Sequence, residues 1–306
     1  MKYPSSVPAW IPEHQGKVRD TFRVPGHDDL MFLVATDRVS THNVVHESEI
    51  SGKGKCLTAL TVFWLKKLEE YGIRTHLVAY GKDIYRYIAV PETLPADLHL
   101  RCIVVRRMNV VPREFIFRAR MAGSLWADYY SKGLPNPYGV VLPAGLDLMS
   151  PLVPIAFTPT EKSDTDDPVN AADVLSEYPE ESETALQVYQ IIRSHTLARG
   201  IDTIDAKGEM GRDPRTNKVA VVDEVGTPDC CRYVDVSDMR IGNNPKWLDK
   251  QFVREEAERI WKSEGGEKRP IAFGPETVRK TAEIYRDITG RILDMPLEAY
   301  QDEMFS

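Results

Sequence analysis

The stretch IDTIDAKGEMGRDPRTNKVAVVDEV, residues 201–225, combines two apolar segments with a charged centre. Asp205, Lys207 and Glu209 alternate along it, so they project from one face if the chain is extended. A polar stretch, GRDPRTNK, separates them from the apolar run KVAVV, and this order predicts a strand, a turn and a second strand. If the two strands pair as a hairpin, Glu209 and Asp223 face each other.

Such a hairpin concentrates charge in a way that suits a metal and a nucleotide. Two facing carboxylates repel each other, and a divalent cation such as Mg²⁺ relieves that repulsion while it clamps nucleotide phosphates. Charged groups on one face are also costly to bury unless they serve a site. A hairpin with ordinary exposed charges explains the same pattern, so spacing alone leaves both interpretations open.

An earlier segment, GKVRD at residues 16–20, places two cations beside a glycine. Lys17 and Arg19 lie on the same side of an extended chain, an arrangement that suits a polyphosphate. It is not a Walker loop, which needs a longer glycine spacing and a GK[ST] ending. A surface turn with solvated charges is the alternative.

The segment FRARMAGS, residues 117–124, is a second candidate anion site. Arg118 and Arg120 precede a turn of small residues that ends at the hydroxyl of Ser124. Guanidinium groups together with a hydroxyl and backbone amides suit a phosphate monoester or a carboxylate. Arg232 is a further possible anion ligand.

The flanking sequence predicts a mixture of strands and helices. Apolar runs at 30–37, in HLVAY and in LRCIVVRRMNVV predict buried strands, and 56–72 has helical spacing that ends at a glycine. Residues 133–179 are rich in Pro, Gly, Ser and Asp, which favours long loops or a linker. A helix is predicted in ALQVYQIIRSHTLARG, and the last third reads as helices with solvated charged faces.

Composition restricts the class of protein. The chain has 306 residues, 42% of them hydrophobic, which is enough for one large domain or two lobes. Its formal net charge of −7 argues against nucleic acid or anionic membrane as a partner, so any phosphate site must be built locally. The N-terminus lacks a secretion signal, no segment is apolar for long enough to span a bilayer, and a cytoplasmic location is expected.

The four cysteines form no CxxC pattern, although Cys230 and Cys231 are adjacent. No histidine lies near the pair in sequence, so a nucleophilic cysteine is not indicated. We expect reduced, buried and inert thiols.

Taken in order, these segments resemble the SAICAR synthetase (phosphoribosylaminoimidazole-succinocarboxamide synthase) family. The matching motifs, which span residues 16–254, are GKVRD, FLVATDRVS, SGKGKCLTALTVFW, VPREFIFRARMAGS, FTPTEKSDTDDPV, DAKGEMG, VVDEVGTPDCCR and LDKQFVR. The resemblance implies an α+β fold of two lobes, with antiparallel sheets flanked by helices and an ATP cleft between the lobes. The lobes would be a nucleotide-binding lobe, 1–110, and a lobe with the substrate and Mg²⁺ sites that ends in helices, 111–306.

The implied activity is that of an ATP-dependent ligase of purine biosynthesis. It would join L-aspartate to 5-amino-1-(5-phospho-D-ribosyl)imidazole-4-carboxylate, the carboxyaminoimidazole ribotide, to give SAICAR, ADP and phosphate. A paralogous amide ligase, a small-molecule kinase and a nucleotide-binding regulatory protein are the competing hypotheses. Oligomeric state is not indicated by the sequence.

The resemblance also assigns roles to individual residues. The ATP-binding residues would be Lys17, Arg19, Arg106, Arg107, Met108 and Lys162, with 106–108 as a hinge that meets adenine through backbone groups. The catalytic residues would be Lys207, Glu209 and Asp223, with the two carboxylates holding Mg²⁺. The ribotide phosphate would be bound by Arg118, Ser124 and Arg232. The imidazole and aspartate side would be completed by Asp167, Asp229, Lys250 and Arg254.

The chain departs from the family pattern at a few positions. These are Asn43 in THNVV, the TDD sequence at 165–167, GEMG at 208–211 and TPDCCR at 227–232. The carboxylates assigned to Mg²⁺ are present. The departures concern the substrate-facing detail, which keeps the paralogous ligase open.

Overall fold

Helices and antiparallel sheets make up the computed structural model, which describes residues 3–88, 94–163 and 165–306. The strands are β1 (His14–Gln15), β2 (Arg19–Val24), β3 (His27–Ala35), β4 (Arg38–Thr41), β5 (Val44–Glu49), β6 (Leu77–Tyr80), β7 (Cys102–Arg106), β8 (Asn109–Val110), β9 (Arg113–Arg120), β10 (Pro151–Phe157), β11 (Thr160–Glu161), β12 (Ile201–Arg212), β13 (Val219–Val222) and β14 (Cys231–Asp235). The α-helices are α1 (Lys53–Glu70), α2 (Ala171–Glu177), α3 (Pro179–Leu197), α4 (Gln251–Ser263), α5 (Pro275–Leu293) and α6 (Leu297–Met304). The predicted α+β class is confirmed.

The chain divides into two compact units, each assembled from separate segments. The first unit comprises Met1–Lys66, His76–Arg107 and Lys250–Ser306, and the second comprises Lys67–Thr75 and Met108–Asp249. The first boundary lies near the one expected at residue 110. The C-terminal helices, however, group with the first unit and not with the residues from 111 onward. The functions that the sequence attached to the two lobes stay predictions.

The first unit is organised by a five-stranded antiparallel sheet in the order β1-β2-β3-β7-β6. The predicted apolar runs form its strands, and β3 pairs with β2 on one side and β7 on the other. Phe22, Phe32 and Val104 from these strands belong to one buried cluster. Central strands of this kind are apolar because both neighbours and at least one packed layer exclude water from them.

Helix α1 begins at Lys53, three residues before the start predicted from its apolar spacing. The carboxylate of Asp37 accepts hydrogen bonds from the backbone N–H groups of Gly52 (3.0 Å) and Gly54 (2.8 Å) and so caps the helix from a distant point in the chain. A Cβ on Gly54 would lie 3.0 Å from the carbonyl oxygen of Ala35, which explains the glycine. The predicted start was wrong because the capping residue lies outside the helical segment.

Helices α4 and α5 complete a second core of the first unit. Val39 and Ile50 pack in one buried cluster with residues of the C-terminal segment, namely Val253, Ala257, Trp261, Ile271 and Phe273. The helices predicted from the sequence are therefore present, and their apolar faces are buried in the unit that begins the chain. No helix in the described residues combines the length and apolarity needed to cross a bilayer.

The second unit is built around β12, the centre of a seven-stranded antiparallel sheet. β12 pairs with β9, β14, β13 and β8, and α3 packs against it. The hairpin predicted from residues 201–225 is confirmed, but Glu209 stands opposite Val222 and not opposite Asp223, so the predicted facing of the two carboxylates was wrong by one position. Asp223 follows the end of β13 directly, so the two carboxylates are brought to the same end of the hairpin.

The stretch 133–179, predicted as loops or a linker, contains the two strands β10 and β11 and the helix α2. β10 carries Pro151 and Pro154, which the sequence analysis took as signs of loop structure. Among the strands that the structure describes, it pairs with β9 alone and lies at the edge of the sheet order, where a residue without a backbone N–H is tolerated. The loop prediction is confirmed for 134–150, and it was wrong for β10 because proline disfavours central strands and not edge strands.

A buried ion pair holds the GKVRD segment in the first unit. Nη2 of Arg38 lies 2.6 Å from Oδ1 of Asp20, and both side chains are almost fully buried. The same guanidinium donates to the carbonyl oxygen of Gly16 (3.2 Å). Asp20 also accepts the backbone N–H of Ser6 (3.0 Å), so this pair fixes the turn before β2.

Replacing Asp20 by Ala should lower the free energy of unfolding by about 3–5 kcal/mol, because removing one partner leaves a buried charge uncompensated. Urea unfolding followed by circular dichroism measures this. The matched control is Glu283→Ala, which breaks the exposed Arg279–Glu283 pair of α5 and should change stability little. Equal losses in the two variants would contradict this account.

Candidate active site

The two faces of β12 have different surroundings. A β-bulge between Thr203 and Asp205 places Thr203 on the same face as Arg212. On that face, Thr203 bonds Thr196 of α3 (2.7 Å between hydroxyl oxygens), and Arg212 bonds Glu181 of the same helix (2.7 Å). Side chains alternate along a strand, so Lys207 and Glu209 point away from the face that carries Arg212. The predicted charged face of this segment is therefore a real feature of the sheet.

Asp205 joins two arginines on this face. Its carboxylate lies 2.6 Å from Nη1 of Arg118 and 2.8 Å from Nη1 of Arg232. Arg118 stands directly opposite Asp205 on β9 and also donates to the hydroxyl of Thr158 (2.8 Å). Arg118 is only 3% exposed, whereas Arg232 is partly exposed. Of the two, Arg232 is the guanidinium that a ligand can reach.

Arg232 also lies against the small-residue turn that the sequence analysis selected. A Cβ added to Gly123 would lie 2.8 Å from Nη1 of Arg232, so glycine permits this close approach. The neighbouring Ser124 has its hydroxyl 3.3 Å from that of Tyr138. Arg232 and Ser124 are thus brought to one place, as expected of an anion site.

Glu114 is a site residue that the sequence analysis missed. It is buried on β9, and its Oε1 lies 2.5 Å from Nζ of Lys207. Its other oxygen accepts the hydroxyl hydrogen of Thr160 (2.6 Å). The signal was in the sequence: REFIFRAR alternates so that Glu114, Arg118 and Arg120 share one face of an otherwise apolar strand.

Lys207 is held as a cation by the carboxylates around it. Burial by itself lowers the pKa of its ammonium group, but Glu114 and Glu209 outweigh that effect and raise the pKa above its ordinary value. Nζ of Lys207 is 3.9 Å from Oε1 of Glu209. Lys207 therefore brings a permanent positive charge to the site.

Glu209 is a buried carboxylate with charged neighbours of both signs. It is 6% exposed, and Nζ of Lys162 donates to its Oε2. Burial and then the carboxylate of Asp223 raise the pKa of Glu209. The ammonium groups of Lys207 and Lys162 act in the opposite direction. The charges of Lys162, Lys207 and Asp223 thus all act on Glu209.

Asp223 adopts a left-handed backbone conformation, with φ of 58°, at the end of β13. This conformation is uncommon for residues other than glycine, and aspartate tolerates it better than most. It lets the chain turn sharply into the segment 224–230, where the hydroxyl of Thr227 donates to Glu224 (2.5 Å). The carbonyl oxygen of Cys230 then accepts the backbone N–H of Lys207 (2.8 Å). The turn is thereby tied back to β12.

The carboxylates of Glu209 and Asp223 suit a hard divalent cation whose remaining ligands are water and substrate oxygens. Within the described residues, no group of three or more His, Cys, Asp or Glu side chains is arranged to hold a metal. Glu209 and Asp223 offer carboxylate oxygens and repel each other, as the raised pKa of Glu209 indicates. Mg²⁺ is commonly bound by one or two carboxylates together with water and substrate phosphates. The residues present therefore fit Mg²⁺.

In the first unit, the predicted phosphate-binding residues lie around the start of β2, with Arg19 as its first residue and Lys17 two residues before it. Nζ of Lys17 donates to Oδ1 of Asn43, in the turn between β4 and β5. Lys17 is partly buried, and Arg19 is almost fully buried. Asn43, noted as a departure from the family pattern, is thus a direct partner of Lys17.

The predicted adenine hinge lies where the first unit ends and the second begins, between Arg107 and Met108. The backbone N–H of Arg106 donates to the carbonyl oxygen of His76 (2.8 Å), and that of Arg107 donates to the carbonyl oxygen of Asp29 (2.8 Å). These two amide hydrogens are already used within the sheet. Adenine contacts in this segment would therefore have to come from other backbone groups.

The remaining predicted substrate residues are distributed over both units. Asp167 is exposed and accepts the hydroxyl hydrogen of Thr165 (2.5 Å), and the backbone N–H of Asp229 donates to Thr227 (3.3 Å). Lys250 and Arg254 belong to the first unit, at the start of α4, as the predicted helix start required. Arg254 donates to Gln251 (2.6 Å). Asp164, within the motif FTPTEKSDTDDPV, lies outside the described residues.

Comparison with known proteins gives a consistent result. The SAICAR synthetase family profile matches residues 13–269. The phosphoribosylaminoimidazole-succinocarboxamide synthase of Thioalkalivibrio sulfidiphilus is 37% identical over 293 residues, which cover 91% of this chain and 93% of the relative. That of Saccharomyces cerevisiae is 32% identical, with 90% and 93% covered. The solved SAICAR synthase of Saccharomyces cerevisiae, complexed with SAICAR, has a TM-score of 0.81 at 28% identity and covers 94% of this chain and 96% of its own.

The charges around Glu209 can be tested one at a time. Asp223→Asn removes a charge that raises the pKa of Glu209, so that pKa should fall, whereas Lys162→Met should raise it further. Asparagine tolerates the left-handed conformation at this position. Carbon-13 NMR of the side-chain carboxyl groups measures both shifts.

The same titration affects stability. Because the folded-state pKa of Glu209 is raised, its ionisation lowers stability as the pH rises from the ordinary pKa through the folded-state pKa. That loss should be smaller in Asp223→Asn. Asp173→Asn, an exposed position in α2, is the control and should leave the Glu209 pKa unchanged. An unchanged pKa in Asp223→Asn would contradict the assigned repulsion.

Proposed function

The chain belongs to the SAICAR synthetase family, and we propose that the charged face of β12 is the place where it activates a carboxylate with ATP. The protein is an ATP-dependent ligase of purine biosynthesis. It joins L-aspartate to the carboxyaminoimidazole ribotide and forms SAICAR, ADP and phosphate. The assignment of the site is carried by the charges that act on Glu209, which come from Lys162, Lys207 and Asp223.

The reaction requires a carboxylate to become an electrophile. A carboxylate resists attack by an amine, because it carries negative charge and has no leaving group. Transfer of the ATP γ-phosphoryl group to the carboxylate oxygen gives an acyl phosphate. The aspartate amine then forms the C–N bond and loses a proton to solvent, and phosphate departs with the electrons of the C–O bond. Positioning and charge stabilisation supply most of the catalysis in phosphoryl transfer.

We assign Glu209 and Asp223 to the binding of Mg²⁺. Their mutual repulsion and the burial of Glu209 support this role, since a cation stabilises both carboxylates in the ionised form. The ion, when bound, would supply positive charge to the oxygens of the nucleotide phosphates. Glu209 and Asp223 contribute by holding their two carboxylate charges in a fixed position before the reaction begins.

The two lysines supply fixed positive charge to the same place. Lys207 is oriented by Glu114, and its raised pKa keeps it protonated at neutral pH. We assign it to the transferred phosphoryl group or to the substrate carboxylate. Lys162 is 41% exposed and bonded to Glu209, so its ammonium group can also turn toward nucleotide phosphate. Preorganised cations stabilise the developing charge without reorganisation during the reaction.

Arg232 and Ser124 are assigned to the ribotide phosphate. Arg232 is partly exposed, and Asp205 holds its guanidinium and so fixes the direction in which it faces. Arg118 is buried on the same carboxylate, and we assign it to the positioning of Asp205 and Arg232. This differs from the direct phosphate contact that the resemblance implied.

The remaining assignments rest on the family resemblance and are proposals for the other ligands. Lys17, Arg19 and the segment 106–108 are proposed for ATP. The imidazole and aspartate side is proposed to include Asp167, Asp229, Lys250 and Arg254. A cytoplasmic location is also proposed, and it is compatible with four free thiols.

The activity is tested by ADP release from purified protein with Mg-ATP and the carboxyaminoimidazole ribotide, with and without L-aspartate. We expect ADP release that depends on aspartate and a product with the mass of SAICAR. ADP release without aspartate, together with a phosphorylated product, would identify a small-molecule kinase instead.

Glu209→Gln should lower kcat on the order of 10²- to 10³-fold, because it removes a preorganised charge from the transition state.

The anion site is tested by Arg232→Met. This variant should raise the KM for the ribotide roughly 10- to 100-fold, since a hydrogen bond to a charged group contributes about 1.5–3 kcal/mol. The KM for ATP should change little. Arg240→Met, at an exposed arginine of the same unit, is the control. An increase in the KM for ATP alone would move Arg232 to the nucleotide.

A further inference from the structure

Two buried thiols lie side by side at the edge of the charged face. The Sγ atoms of Cys230 and Cys231 are 3.8 Å apart, and the residues are 7% and 4% exposed. All four cysteines of the chain are free. The sequence predicts that these two thiols are inert, and the proposed reaction does not use them.

The peptide unit between the two cysteines is bonded at both of its polar groups. The carbonyl oxygen of Cys230 accepts the backbone N–H of Lys207 (2.8 Å), and the N–H of Cys231 donates to the carbonyl of Thr227 (2.9 Å). Cys231 is also the first residue of β14, which pairs with β12 at Ala206. A rotation of this one peptide unit would therefore disturb the backbone at Lys207.

We propose that Cys230 and Cys231 form a redox modification site, in which a peroxide converts the adjacent thiols into a disulfide and displaces Lys207. The sulfur of Cys230 attacks one oxygen of hydrogen peroxide, which breaks the O–O bond. Cys230 becomes a sulfenic acid, and the released hydroxide takes the thiol proton to form water. The sulfur of Cys231 then displaces hydroxide from the sulfur of Cys230, and its own proton completes a second water. Two thiols and one peroxide give one disulfide and two waters.

The surroundings distinguish the two sulfurs. The backbone N–H of Thr227 lies 3.4 Å from Sγ of Cys230 and donates toward it, which stabilises negative charge on that sulfur. Burial raises the pKa of the Cys231 thiol, and its contact with Cys230 adds to this. Cys230 is therefore the thiol that meets the peroxide, and Cys231 is the thiol that resolves the sulfenic acid.

Closure of this ring requires the backbone to move. Adjacent Cα atoms are about 3.8 Å apart across a trans peptide, whereas disulfides usually join Cα atoms about 4.4–6.8 Å apart. The two sulfurs are 3.8 Å apart and must approach to the S–S bond length of about 2.05 Å. Since the Cα separation stays short, the ring closes with strain, and we expect this strain to change the backbone angles on both sides of the peptide unit and to weaken its bonds to Lys207 and Thr227. A disulfide strained in this way is reduced easily by a dithiol, so the modification is reversible.

The effect on activity rests on the proposed function, because Lys207 and the neighbouring Arg232 belong to the assigned site. The modification itself does not depend on that assignment. It can be measured by mass and by the protection of the Lys207 amide even in a protein that shows no turnover.

The experiment treats fully reduced protein with hydrogen peroxide in stoichiometric amounts. Intact mass should fall by two hydrogen atoms, and a peptide map should place the disulfide at Cys230 and Cys231. Hydrogen exchange at the Lys207 amide should become faster. Aspartate-dependent ADP release should fall at least tenfold, and dithiothreitol should restore all three readouts.

Two variants make the result specific. Cys231→Ser cannot resolve the sulfenic acid, so it should gain one oxygen and react with dimedone. Cys56→Ala removes a buried thiol of α1 and should behave as the unaltered chain does. Oxygen gain in the unaltered chain without loss of hydrogen would overturn the proposal, and so would a disulfide that leaves Lys207 exchange unchanged. Absence of ADP release before oxidation would reject the proposed function only.

Discussion

The cost of burying charge along one strand determines the organisation of the second unit. Asp205, Lys207 and Glu209 lie on a single face of β12, where the solvent that would normally stabilise them is largely excluded. Each must then be compensated by a partner of opposite charge or by a bound ligand. Arg118 and Arg232 compensate Asp205, Glu114 compensates Lys207, and Lys162 compensates Glu209. The sheet order places these partners on the strands and loops next to β12.

If the proposed assignment holds, this arrangement explains how an ordinary antiparallel sheet becomes a site for an acyl-activating reaction. The compensation around Glu209 is incomplete, because burial and Asp223 raise its pKa despite the two lysines. Around Asp205, by contrast, two guanidinium groups share one carboxylate. The same strand therefore offers a region that favours an added cation and, a few residues away, a region that favours an added anion. These are the two kinds of charge that a nucleotide–metal complex and a phosphorylated substrate bring.

Much of this could be predicted from the sequence, because the patterns involved are local. Alternation along residues 201–225 indicated both the hairpin and its charged face, and helical spacing indicated α1, α3, α4 and α5. What could not be predicted depends on contacts between distant segments. The cap of α1 comes from Asp37, and the edge position that tolerates Pro151 and Pro154 is a property of the sheet. Glu114 was missed although the alternation of β9 contained the signal, because its partner Lys207 lies on another strand.

The division of the chain into interleaved segments has a consequence for its synthesis on the ribosome. The first unit needs Val253, Ala257 and Trp261 to close the cluster around Val39 and Ile50. Those residues are synthesised after every residue of the second unit. The cluster around Val39 and Ile50 is therefore completed only after the second unit has been made, whereas the sheet around β12 can be assembled earlier. In that interval Val39 and Ile50 expose apolar surface of the kind that chaperones protect.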